Sequence, residues 1–204
     1  MSDPIEFFFE YVSPYAFIAA KQIEEVGACH GREVIWRPVS LGHIWKTVEA
    51  TNVGPGAIPQ KAEYIMMDSG RSARIAGYRM TAPAVFPTDA KLARLAFYVI
   101  SAKDKELAKN FADGVFDKYW TKSEEITEIS HLTDLTDSLG IVAADMEAAA
   151  SDPNAKAAMI ESTDAALKSG AFGMPWFRVG DQVFWGADRV SHIDKYLEFK
   201  ARQV

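Results

Sequence analysis

The chain has 204 residues, with 22 Lys and Arg against 28 Asp and Glu, a net charge of −6, 49% hydrophobic residues and 12% aromatic ones. That length suits one domain, or a small domain carrying an insertion, with a substantial core. The acidic balance argues against a nucleic-acid partner, which calls for a basic face. The single cysteine, Cys29, excludes an internal disulfide and a CxxC pair for dithiol chemistry or zinc.

The first residues carry acids instead of a basic stretch and lack a long apolar run, so neither a signal peptide nor a membrane span is expected. The expected location is the cytoplasm. Ile5 to Tyr11 reads as a buried strand, rich in Phe, Ile and Tyr. Ser13-Pro14 follows, a preferred helix cap before a preferred first helical residue. Tyr15, Ala19, Ile23 and Val26 then recur at helical spacing, and Gly27 reads as the stop. Glu33 to Val39 is a second strand, and strand–helix–strand makes a βαβ unit.

Residues 51–60 form a Gly/Pro-rich loop. Helical stretches are expected over roughly 61–76, 88–101, 103–119, 127–139 and 153–169. Asp152-Pro153 repeats the cap-then-proline signal, and Gly170 follows the last of these helices. The end turns β again: Met174 to Val179 and Gln182 to Trp185 flank Gly180-Asp181, a tight hairpin signal. Ala187 to Arg202 closes the chain as a helix, with Val190, Ile193 and Leu197 on one face. The four histidines, His30, His43, His131 and His192, show no metal spacing, so no metal site is expected.

The layout is βαβ, a helical block, then ββα. It predicts an α/β protein: a thioredoxin-like βαβ–ββα domain over 1–42 and 170–204, with an all-helical domain inserted over 43–169. The segments FFFEYVSPYAF (7–17), RPVSLGHIWK (37–46), TNVGPGAIPQK (51–61) and GAFGMPWFRVGDQVFWGADRV (170–190) together resemble the 2-hydroxychromene-2-carboxylate isomerases, relatives of the kappa-class glutathione transferases. The resemblance covers nearly the whole chain in order.

That resemblance implies glutathione as cofactor, a small aromatic carboxylate as substrate, and a homodimer. Ser13 matches the catalytic serine that hydrogen-bonds the glutathione sulfur, and Tyr15 belongs to the same motif. Asn52 and Lys61 match positions that hold the tripeptide from the inserted domain. Met174 precedes Pro175, a proline that is cis in this fold class, and its backbone pairs with the glutathione cysteine. Asp188 and Arg189 match the pair that receives the γ-glutamyl end. One departure is visible: relatives read FPxN where this chain has Phe86-Pro87-Thr88-Asp89.

The residues fit that chemistry. A helix N-terminus stabilises an anion and lowers thiol pKa values, and thiol oxidoreductases place a cysteine there. This chain has Ser13 instead, whose hydroxyl can donate to a nearby thiolate. An ordinary thiol titrates near ~8.5, so a fall of roughly one to two units leaves it mostly ionised at neutral pH. In the family's reaction the thiolate adds to a cis-enone, the new single bond rotates, and loss of the thiol gives the trans-enone. Trp45, Trp176 and Trp185 are candidates to line an apolar slot for a flat substrate. Three other readings stay open. They are a kappa-like transferase that conjugates glutathione to electrophiles, a thiol-disulfide oxidoreductase, and a binding module in which Ser13 only caps its helix.

Overall fold

The computed structural model describes residues 3–50 and 58–203. Its centre is strand β1 (Ile5–Phe9), buried along its whole length. β1 pairs in parallel with β2 (Val34–Pro38) and antiparallel with β3 (Trp176–Val179), and β3 pairs antiparallel with β4 (Gln182–Trp185), giving the order β2-β1-β3-β4. A strand covered on both faces reads as a continuous apolar run, which is what IEFFF shows. Both strand 1 and strand 2 are shorter than their apolar runs suggested.

Alternate residues of β1 serve opposite faces. Phe7 and Phe9 meet Trp36, Phe177 and Phe116 in ring contacts with centroids 5.0–5.5 Å apart. Phe8 joins Val39, Ile44, Ala166, Met174 and Trp176 on the other side. Each fully buried Phe contributes roughly 2–3 kcal/mol by leaving water.

Helix α1 (Pro14–Cys29) crosses from β1 to β2. Its end corrects the sequence reading. Gly27 does not stop the helix but lies inside it, buried. A Cβ there would come within 2.5 Å of Val34 Cγ2 and 2.9 Å of the Arg32 carbonyl. The glycine is there to let the helix approach β2, and Gly31, at φ 61°, makes the turn instead.

The helical block comprises α2 (Leu41–Thr47), α3 (Pro59–Ile75), α4 (Lys91–Ser101), α5 (Lys105–Trp120), α6 (Ile129–Ser138), α7 (Ala143–Ala149) and α8 (Pro153–Lys168). Helices α2 and α7 went unread in the sequence: each is seven residues, too short for periodicity to speak. The Asp152 cap is as read, its carboxylate accepting from the Asn154 and Ala155 amides. The block is tied to the ends of the strands: Trp120 Nε1 donates to the Tyr11 carbonyl at 2.8 Å and Tyr98 Oη to the Pro38 carbonyl at 2.7 Å. The hairpin forms as expected, with Gly180 at φ 61°. The closing helix divides into a 3₁₀ turn, Ala187–Arg189, and α9 (Val190–Ala201). No helix among the described residues is long and apolar enough to cross a membrane.

Candidate functional site

Ser13 sits where the chain leaves β1 and enters α1. It is in extended conformation, 7% exposed, and caps the helix: its Oγ accepts from the Ala16 amide at 3.2 Å. The preference of serine for this position, with proline next, explains the local structure. The hydroxyl proton goes elsewhere, to the Met174 carbonyl at 3.0 Å. Thus two ends of the chain, 161 residues apart, meet at one oxygen. The Met174–Pro175 bond is cis, as expected, and so is Phe86–Pro87, which the sequence reading did not foresee.

A groove of about 1010 Å³ opens beside this point, lined by Tyr15, Asp68, Met174, Trp185, Asp188 and Arg189 among others. The structure therefore brings Tyr15, Met174, Asp188 and Arg189 to one groove, with Ser13 bonded to Met174 and Pro175 next to it, both behind the lining. Asp188 and Arg189 lie in the 3₁₀ turn, joined by an ion pair of 3.0 Å. Gly186, at φ 111°, allows this: a Cβ there would stand 2.5 Å from Asp188 Oδ1. The turn thus presents one anion and one cation to the groove. Lys61 lies in the first turn of α3, outside the groove lining. Asn52, like residues 51–57 of the Gly/Pro-rich stretch, lies outside the described residues.

The sequence reading missed Asp68. Its carboxylate accepts from Tyr15 Oη at 2.8 Å and pairs with Arg71 in the next turn. The Tyr15 hydrogen bond, with Arg71, holds the Asp68 carboxyl below the usual aspartate range, and burial together with Asp68 pushes the Tyr15 phenol well up. An acid three residues before an arginine on a helix was visible in the sequence, but not what it faced. The readings of Trp45 and Trp176 as slot residues also change. Trp176 is buried in the sheet, its Nε1 donating to Ser169 Oγ, and Trp45 donates to the Phe172 carbonyl; of the three tryptophans, only Trp185 lines the groove. Asp89, the departure from the family pattern, accepts from the Lys91 amide at the start of α4.

Fold and site define a thioredoxin-like protein with a serine, not a cysteine, at the N-terminus of its first helix. The chain belongs to the DsbA-like thioredoxin domain family, whose model matches residues 4–198. It is 24% identical to a 2-hydroxychromene-2-carboxylate isomerase of Sphingobium xenophagum over 199 residues, 97% of this chain and 99% of that one. It is 26% identical to glutathione S-transferase kappa 1 of Caenorhabditis elegans over 206 residues, 95% of this chain and 90% of that one. Its backbone matches a solved structure of 2-hydroxychromene-2-carboxylate isomerase with a TM-score of 0.87 at 21% identity, over 98% of this chain and 96% of that one. The resemblance read from the sequence is borne out. Among the described residues no group of His, Cys, Asp or Glu is arranged to hold a metal ion.

Proposed function

We propose that this chain is a glutathione-dependent isomerase, interconverting 2-hydroxychromene-2-carboxylate, or a similar aromatic catabolite, and its trans-enone. The observation that carries the reading is Ser13: a hydroxyl at a helix N-terminus, bonded to the carbonyl that precedes a cis-proline, where thiol oxidoreductases carry a cysteine. The groove, about 1010 Å³, is large enough for a tripeptide. Asp188 and Arg189 offer a carboxylate and a guanidinium to the ammonium and carboxylate of a γ-glutamyl end. Met174 offers backbone for a short added strand. Bound there, glutathione would supply a thiolate that adds reversibly to a conjugated double bond.

The chain's own part is to hold that sulfur ionised. The Ser13 hydroxyl, which donates to the Met174 carbonyl, could by rotation about Cβ–Oγ donate to that sulfur, and the Met174 carbonyl would then be open to a backbone N–H of the tripeptide. The Oγ lone pair keeps its bond from Ala16 throughout, so the helix stays capped. The helix dipole adds to the same end.

The test is direct. Glutathione is added to 2-hydroxychromene-2-carboxylate and the ultraviolet spectrum followed with and without the protein. Ser13→Ala should reduce turnover roughly a hundredfold, as loss of one donor to a developing anion does, and cost about 1 kcal/mol of stability through the lost cap. Turnover that survives the substitution intact would refute the role given to Ser13. A kappa-like transferase is the second reading, favoured by the kappa-class relative. Constant free thiol during turnover indicates isomerisation; stoichiometric loss indicates conjugation. The cytoplasm, a homodimer, and the absence of nucleic-acid and membrane partners belong to this same proposal.

A further inference from the structure

Next to Ser13, outside the lining of the groove, lies a charged pair that the proposed chemistry does not use. Glu10, the first residue past β1, is 3% exposed, and Arg94, in the first turn of α4, is 9% exposed. Arg94 Nη1 donates to both carboxylate oxygens, at 2.8 and 2.7 Å. The Tyr11 amide donates to Oε1 at 3.0 Å. Glu10's own carbonyl accepts from the Ser13 amide at 3.0 Å. One residue therefore fastens the β1–α1 turn to α4 through its side chain and holds Ser13 through its backbone. Arg94 Nη2 lies 3.6 Å from Asp89, in the segment after the second cis-proline.

A buried ion pair is a poor device for stability alone. Desolvation offsets most of the attraction, and hydrophobic residues of similar volume often replace such a pair without loss. What a carboxylate offers and a packed aliphatic pair does not is direction. The two oxygens of Glu10 fix the positions of Arg94 Nη1 and the Tyr11 N–H.

We propose that Glu10 and Arg94 are positioning residues for Ser13: through this pair, helix α4 sets the turn that presents the serine hydroxyl and the first N–H groups of α1. The ligand that would feel this is the glutathione of the preceding reading, but the geometry stands apart from it.

Two variants and two measurements test the proposal. The double variant Glu10→Leu/Arg94→Met removes both charges, and Glu10→Gln keeps the side-chain shape with one of the two acceptor oxygens. Amide hydrogen exchange is read at Ser13 and Ala16 relative to Ile23 in the middle of α1. The double variant is expected to fold and to exchange roughly tenfold faster at Ser13 and Ala16. Glu10→Gln stays close to the parent. With glutathione bound, the thiolate absorbance against pH should move up by about one unit in the double variant only. Unchanged exchange at Ser13 in a folded double variant overturns the proposal. So does a double variant that does not fold while Glu10→Gln does, because the charges would then serve stability and not orientation. Faster exchange in the double variant, with no glutathione bound by the parent chain, supports the geometry and overturns the ligand.

Discussion

Two carboxylates flank the Ser13 turn, each met by an arginine, and their environments drive them in opposite directions. The Glu10 side chain is 4% exposed and that of Asp68 is 22% exposed. For Glu10, loss of water is the largest influence and raises its pKa although Arg94 pulls the other way. For Asp68, the hydrogen bond from Tyr15 is the largest influence and lowers it. The same chemical pair is thus a constraint in one place and an electrostatic convenience in the other. Access of water decides which.

Removing the arginine on the buried side breaks the comparison most sharply. Arg94→Ala leaves a carboxylate without its counter-ion in the core and should cost about 3–5 kcal/mol in denaturant unfolding. A cost below ~1 kcal/mol would mean that water reaches Glu10 and that the two sites are alike. A neutral donor to the same turn gives the intermediate case. Trp120→Phe strips the Tyr11 carbonyl of its partner at 2.8 Å and should cost roughly 1–3 kcal/mol, the usual range for a buried polar group left unmatched.

The smallest effect is the most diagnostic, because it has a sign. The Asp68 carboxyl is lowered in the folded chain. Its contribution is therefore full above the ordinary value of 3.8 and fades as pH falls through the lower folded value. Glu10 is raised. Its fold-linked contribution is present below 4.5 and is lost as pH rises through the higher folded value. Stability measured between about pH 3 and 7 should lose its acid-side decline in Asp68→Asn, by less than ~0.5 kcal/mol after solvent screening. Glu10→Gln should instead flatten the opposing slope above 4.5. Equal slopes in both variants would erase the distinction drawn above.

The same contrast explains what the sequence disclosed. Ser13-Pro14, Asp152-Pro153 and the Gly180 turn act through neighbours one to four residues away, so their chemistry is local and readable. The Met174–Ser13 contact spans 161 positions; family resemblance put both residues at one site, but neither it nor pattern gave the bond between them. Glu10 and Arg94 stand 84 positions apart. The signal was an acid inside the run FFFEY, but nothing in one sequence names its partner. Gly27 misled for a related reason: a glycine near a helix end reads as a stop, whereas here its missing Cβ makes room for Val34, a neighbour set by tertiary packing.

The rise of α1 has one more consequence. Sixteen helical residues separate the Ser13 end from Cys29 at the other, about 24 Å along the axis. The one native thiol is exposed, at the opposite end of α1 from Ser13 but in the lining of the same groove as Tyr15 and Met174. On the proposed reading, oxidants and alkylating agents meet either that cysteine, about 24 Å from Ser13 along the helix, or the sulfur of a dissociable tripeptide. Damage to the reacting sulfur would then leave with the tripeptide and not with the polypeptide.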